Sequence, residues 1–314
     1  YQSLYGDKEN TSLSAAQVTE LLYKHDVKQL KNKLGKYLEN KEVLWLLFDN
    51  IDNGWPTSGL QHEDLLIIRA LIEATRKIER QFGSDYFSVH SVVFLRNDVY
   101  ELLVQETSDR GKEANVVLDW TDPDLLRELV RLRIVSNGLD EDADFKTAWL
   151  SVFVSHYKGE ETSQFLIERS LMRPRFLLNL INQCKGFAIN LNHEVIEATD
   201  IEKGITAYSS DLLRDIGYEL RDISGNADGI LYAFVASSSV LSEADVLNKL
   251  MESGLDELQA ANVLDLLLWY GFLGIKMNSD EPKFIYDFSY NKALLDGIKR
   301  RAGLVSLAIN QAFW

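Results

Sequence analysis

Three short stretches of this sequence carry residue types that can handle a charged ligand. In the first, Trp45-Leu46-Leu47-Phe48 runs straight into Asp49-Asn50-Ile51-Asp52, so an apolar segment ends on a carboxylate. A buried strand that stops on an aspartate places it at the C-terminal edge of a parallel sheet, where open α/β sheets keep their ligand-handling groups. One carboxylate there suits Mg²⁺, which keeps several of its waters and takes few protein oxygens. In the second, Val92-Val93-Phe94-Leu95 ends on Arg96-Asn97, a polar pair that can reach a terminal phosphate from a neighbouring strand. In the third, Arg173-Pro174-Arg175 opens a helical run, and Arg175 is placed to close onto an anion from a lid. Apolar runs ending in Asp are common, and a turn cap accounts for Asp49 as readily as a ligand does. The three stretches together give the ligand reading its weight.

The flanking sequence supplies elements to hold these groups. Glu42 to Phe48 reads as a buried parallel strand, and Gln61 to Phe82 as a long helix with Leu65, Ile68, Leu71, Ile72, Thr75, Ile78 and Phe82 on one face, ended by Gly83. Val89 to Leu95 reads as a second strand, Val99 to Gln105 as a short helix, and Ala114 to Asp119 as a third strand stopping at Trp120. Strand, helix, strand, helix, strand implies a parallel sheet with right-handed crossovers. Ahead of it, helices are expected from Ser14 to about Tyr23 and over Val27 to Glu39. From Thr121 the period changes. Thr121-Asp122-Pro123-Asp124 has capping-box spacing, and helices are expected over the Leu125 to Ile134 stripe, Phe145–Tyr157, Glu161–Leu171, Pro174–Lys185 and Asp200–Arg221. The C-terminal part reads as helices at Asp228–Ala236, Ser242–Ser253 and Asp256–Tyr270, then strands at Phe272–Met277 and Lys283–Phe288, a winged-helix outline.

The stretches LLFDNIDNGW, VVFLRND, LDWTDPDLLRELVRLRI and MRPRFLLNLINQC resemble, in order and spacing, the signal-transduction (STAND-like) branch of the AAA+ P-loop ATPases, and within it bacterial members related to the KAP type. LLLWYGFLGI followed by FIYDFSYNKALL is similar to the winged helix that ends this branch, so the likeness runs from roughly residue 40 onward. The resemblance implies a helix-rich α/β fold: a partial parallel-sheet P-loop ATPase core over 1–120, starting at Walker B, a helical lid over 121–225 and a winged helix over 226–314. It implies ATP and Mg²⁺ as ligands. Asp49 would be the Walker-B aspartate that holds Mg²⁺, with Asn50 and Asp52 beside it in the catalytic set. Arg96 would be the first sensor, next to Asn97, and Arg175 the lid sensor. The implied activity is an ATP-dependent signalling or assembly switch, relayed through lid and winged helix to an effector or an oligomer, and bacterial relatives of this type often serve in anti-phage defence.

Two departures qualify that expectation. No Gly-x-x-x-x-Gly-Lys-Ser/Thr occurs, and Gly35-Lys36 is followed by Tyr37, so the phosphate-cradling loop is not in this sequence. With Tyr1 opening in the middle of an alternating pattern, a fragment is expected; a loop upstream of Tyr1 would settle the class, and these residues alone should not hydrolyse ATP. Asn50 also stands where the family carries a second acidic residue. An amide cannot take a proton, which leaves Asp52 as the nearby carboxylate.

Charge narrows the partners. With 33 Lys+Arg against 48 Asp+Glu, the net charge of −15 opposes nucleic-acid or anionic-membrane binding driven by global charge. From Ile201 to Trp314 there are 10 basic and 16 acidic residues, and Asp256–Tyr270 contains no basic residue, whereas a groove-reading helix needs donors on its exposed face. The winged helix is therefore expected to bind protein, with Val263, Leu264, Leu266, Leu267, Leu268 and Trp269 as its docking face. A DNA-binding regulator and a scaffold with a degenerate ATPase fold remain the alternatives. Apolar runs such as Leu266–Ile275 fall short of the ~20 residues of a membrane helix, and no basic-then-apolar signal segment opens the sequence, so a cytoplasmic location is expected. Cys184 is the single cysteine and reads as a small buried apolar residue. The five histidines lack metal-ligand spacing. Arg110, beside Gly111 and Lys112, reads as a solvated loop residue, with an arginine finger as its functional alternative.

Overall fold

The apolar run VLWLLF forms β1 (Val43–Phe48), which pairs in parallel with β2 (Ser88–Val93), from Val43↔Ser88 through Phe48↔Val93. These strands belong to a computed structural model that describes residues 27–52, 62–83, 88–106, 115–220, 230–277, 281–302 and 306–313, with Gln17 and Glu20. The chain divides into two compact units, Tyr1–Gly54 with Gln61–Glu106, and Trp55–Leu60 with Thr107–Trp314. In the first unit α1 (Val27–Leu38) precedes β1, α2 (His62–Phe82) crosses over to β2, and α3 (Asn97–Glu106) follows. Strand alternation turns Leu44 and Leu46 toward a small core of Leu38, Val89, Ile78 and Phe82, while Val43, Trp45 and Leu47 face outward and are exposed. The helix expected from Ser14 falls outside the described residues except for Gln17 and Glu20, both helical.

The third strand is not formed. Residues 115–122 have no regular secondary structure, and Val116, Val117 and Leu118 are 87%, 67% and 72% exposed. A strand exists only where a neighbour takes its N–H and C=O groups, and the apolar run at 116–118 has no such neighbour among the described residues.

In the second unit, α4 (Pro123–Val135) starts on Asp122, whose carboxylate accepts from Asp124 N at 2.9 Å, with Pro123 in the first turn. The cap is thus Asp122, and the box expected from Thr121 is absent. The helix α5 (Phe145–Leu150) is shorter than the expected Phe145–Tyr157. Its continuation pairs instead with the segment before α8: Val154 N donates to Ile196 O at 3.1 Å and Ile196 N to Val152 O at 2.7 Å. A small antiparallel pair, β3 (His156–Tyr157) and β4 (Glu160–Glu161), leads into α6 (Thr162–Arg169). The hairpin of α7 (Pro174–Leu191) and α8 (Ala198–Leu220) is the backbone of the unit, and Asn192 ends α7 with φ 58°, a left-handed cap that Asn tolerates. The two helices touch at Gly204, where a Cβ would lie 2.5 Å from Cys184 Sγ and 2.7 Å from Cys184 Cα.

The C-terminal elements are β5 (Val240–Ser242), α9 (Glu243–Glu252), α10 (Glu257–Trp269), β6 (Leu273–Lys276), α11 (Lys292–Ala302) and β7 (Ser306–Ile309), with a 3₁₀ turn at Leu231–Phe234 where a full helix was expected from Asp228. Capping boxes at Ser242/Asp245 and Asp256/Gln259 start α9 and α10. The sheet order is β5-β7-β6, all antiparallel. The expected strand Lys283–Phe288 is not formed: only Lys283 bridges to Ile275, and Asp287 then accepts from Phe284 N at 2.7 Å and curls Ile285–Phe288 into a 3₁₀ turn. β7 pairs along the other edge of β6, Ile275 lying between Lys283 and Leu307. One apolar core runs from Leu126 and Trp149 through α7 and α8 to Leu267, Leu273 and Phe313, on both sides of residue 225.

Candidate functional site

Parallel pairing brings the first two chemistry-bearing stretches together. Phe94 N donates to Phe48 O at 2.9 Å, so the chain leaves β1 at Asp49 directly beside the point where it leaves β2 toward Arg96. Asp49 is exposed, and its Oδ1 accepts from Asn50 N at 2.9 Å. Asn50 has φ 57°, a left-handed turn just past the strand tip. Asp52 is buried, and its Oδ2 accepts from Arg96 N at 2.8 Å, joining the two strand tips. Tyr100 N donates to Arg96 O at 3.0 Å, so Arg96 opens α3 and Asp52 caps that helix start from another strand. Asn97 lies in the first turn of α3, its amide 3.5 Å from Glu101 Oε1.

Of this set, Asp49 can offer a carboxylate to a hydrated Mg²⁺, whereas Asp52 already serves the Arg96 amide. No group of three or more His, Cys, Asp or Glu side chains that could hold a metal ion occurs among the described residues. The donors present therefore fit an ion held through water and phosphate oxygens, and do not form an all-protein cage.

Arg175 lies in the second unit, exposed on the first turn of α7, and its charge opposes the upward shift that burial and Asp211 impose on Asp215. Sequence reasoning singled out this arginine and missed its neighbour. Arg173 is the half-buried N-cap residue of α7, its Nε donating to Tyr290 Oη at 2.9 Å and its guanidinium 4.9 Å from the Tyr290 ring and 5.3 Å from that of Phe176. Tyr290 Oη donates in turn to Leu171 O at 2.7 Å. The signal available was the Arg-Pro-Arg repeat, and nothing local marks Tyr290. Around the contact, Leu171, Met172, Ser289 and Tyr290 all have positive φ, a conformation that costs about 1–2 kcal/mol per non-glycine residue.

The expected docking face on α10 is not available. Val263, Leu264, Leu266, Leu267 and Leu268 are all buried in the unit's core, and Trp269 packs edge-on to Tyr290 with ring centroids 6.2 Å apart. Cys184 is buried as expected, its thiol pushed up to about 12 by burial. His193 Nδ1 lies 2.8 Å from Asp200 Oδ2, and that hydrogen bond raises the imidazole above its ordinary value. Trp120 is exposed rather than packed in a core. Arg110 lies outside the described residues. No described helix is long and apolar enough to cross a membrane.

One family model falls within the second unit. Residues 124–217, α4 to near the end of α8, match the family described as the FunZ-associated C-terminal helical domain. Over 302 residues the chain is 24% identical to the putative transposon gamma-delta 80.3 kDa protein of Escherichia coli (strain K12), covering 90% of this chain and 42% of that protein. Over 163 residues it is 28% identical to the allergen Alt a 2 of Alternaria alternata, covering 51% of this chain and 85% of that protein. The chain thus spans less than half the length of the Escherichia coli relative. Among solved structures, Cdc6p of Pyrobaculum aerophilum aligns with 96% of this chain and 75% of its own at a TM-score of 0.34 and 12% identity. A RuvB variant of Thermotoga maritima aligns with 82% and 69% at 0.31 and 13%. Both lie below the similarity at which a shared fold follows.

Proposed function

We propose that this protein is a nucleotide-operated switch of the AAA+ P-loop type, in its STAND-like branch, that uses ATP with Mg²⁺. The observation that carries the reading is the adjacency of Asp49 and Arg96 on neighbouring parallel strand tips, bridged by the Asp52 carboxylate. In this reading Asp49 would offer its carboxylate to the waters of Mg²⁺, Arg96 and Asn97 would contact the terminal phosphate, and Arg175, in the second unit, is assigned as the lid sensor. The reading requires a phosphate-cradling loop, and none occurs within these 314 residues. Asn50 cannot accept a proton and Asp52 is buried in its bond to Arg96 N, which favours a site that senses nucleotide over one that turns it over rapidly. The β5-α9-α10-β6-β7 module is a winged helix that relays the state to a protein partner or a second copy. A role in defence against phage rests on the STAND-like resemblance alone, and the Escherichia coli relative's name links that protein to a transposon.

Binding of a fluorescent ATP analogue, on a chain shown to contain a phosphate-cradling loop, tests this. Asp49→Asn should weaken Mg²⁺-dependent binding by about tenfold, the loss of one charge-assisted ligand. Equal binding by both chains, with and without Mg²⁺, would remove the assignment. The 314-residue chain alone should show no turnover above a blank, because positioning of the phosphates is most of the catalysis.

A further inference from the structure

Between α6 and α7 the chain turns through Ser170-Leu171-Met172-Arg173, with φ 53° at Leu171, φ 54° at Met172, and Arg173 N donating to Ser170 O at 3.1 Å. In the C-terminal module it turns through Phe288-Ser289-Tyr290-Asn291, with φ 49° and 55° at the central pair and Asn291 N donating to Phe288 O at 2.9 Å. Two successive left-handed residues closed by such a bond are a pattern that Gly, Asn and Asp dominate, and here the four positions hold Leu, Met, Ser and Tyr. They are half of the eight non-glycine residues with positive φ among those described. Far apart in sequence, the turns are tied to each other: Tyr290 Oη donates to Leu171 O and accepts from Arg173 Nε. The Ser289 side chain, together with Thr121, opposes burial and lowers the pKa of the nearby Asp119 carboxylate. Leu171 and Met172 are buried, so neither can relax while its surroundings stay in place.

We propose that these turns form a strained latch between the helical module (α4–α8) and the C-terminal module. The Tyr290 hydroxyl holds both turns in the left-handed form while the latch is shut. When it releases Leu171 and Arg173, the two turns relax. Strained backbone persists only where neighbours over-determine it, and here the polar contacts that do so converge on one hydroxyl and one guanidinium. The modules stay joined by the shared apolar core, by Ser209 Oγ donating to Ala312 O at 2.7 Å and by Arg169 Nη2 donating to Gln311 Oε1 at 2.6 Å, so the opening is local to the two turns, ahead of the core of α7 and α8. The device stands independently of whether nucleotide binds at Asp49.

Amide hydrogen exchange on the whole chain tests it. Tyr290→Phe keeps the ring between Arg173 and Trp269 and removes only the hydroxyl. The Arg173 and Asn291 amides, which close the two turns, should then exchange about tenfold faster, while the interior amides of Leu180 and Tyr208 stay unchanged. Ser289→Asn, which suits a left-handed position, should slow exchange at Asn291. The latch is overturned if Tyr290→Phe leaves Arg173 and Asn291 at the wild-type rate or accelerates α7 and α8 equally. It is also overturned if Ser289→Asn speeds exchange at Asn291, a readout that stands even should the tyrosine variant not fold.

Discussion

Replacing Gly204 by alanine sets two well-known effects against each other with opposite signs. In an isolated helix alanine is favoured over glycine by about 0.8–1 kcal/mol, so propensity alone predicts a more stable protein. The structure predicts the reverse. A Cβ at Gly204 would meet Cys184 Sγ at 2.5 Å and Cys184 Cα and N at 2.7 Å each. Two of those atoms are backbone, so no rotamer change clears them, and α7 and α8 must part along a seam that buries Leu177, Leu180, Ile201 and Tyr208. Overpacking of a tight core costs about 1–3 kcal/mol and sometimes more, and a backbone clash lies at the upper end. After subtracting the propensity gain, about 2 kcal/mol of destabilisation remains. For a cooperative unit of this size that is a drop of about 4–8 °C in the melting midpoint followed by circular dichroism. Cys184→Ala should not rescue it, because the Cα and N contacts remain. A midpoint that rises in Gly204→Ala, or that recovers fully in the double variant, would refute the backbone-contact argument.

Three other outcomes follow from the same geometry. Asp52→Ala should leave the Arg96 amide without its acceptor, lowering the stability of the first unit by about 1–3 kcal/mol and speeding exchange of that amide, whereas unchanged exchange would mean the strand tips are joined by something else. The His193 pKa is raised in the folded state by its hydrogen bond to Asp200, so its stabilisation is fully present below the ordinary value of 6.5 and fades as pH climbs through the raised one. Melting midpoints of wild type and His193→Ala should accordingly differ most under mildly acidic conditions and converge at alkaline pH. Val116→Asp and Leu118→Asp should alter the stability of this chain by no more than about 0.5 kcal/mol, since both side chains are exposed, and a large loss in urea titration would place them in a core after all.

Where a segment's own pattern fixes its partners, the sequence sufficed. The run ending at Phe48 forms its parallel strand, though with Val43, Trp45 and Leu47 exposed and not buried as expected, and the apolar face of Gln61–Phe82 and the caps at Ser242 and Asp256 fold as their spacing requires, because a capping side chain bonds to its own first turn. The pairing of β1 with β2, and with it the meeting of Asp49 and Arg96, was legible as well. The sequence could not say which segments would find a distant neighbour. Ala114–Asp119 has the composition of a strand and pairs with nothing among the described residues, whereas Ser306–Ile309, which no pattern marked, becomes the central strand of its sheet because β5 and β6 both offer it an edge. Helix Phe145–Tyr157 stops early because Ile196 competes for its backbone, and Lys283–Phe288 curls because Asp287 does. The leucines of α10 became core and not docking face because α8 and the C-terminal sheet belong to the same buried cluster. Arg173 and Tyr290 meet only in three dimensions. Local periodicity reports how a segment would bury itself, and the choice among distant partners depends on which faces and edges the rest of the chain leaves open.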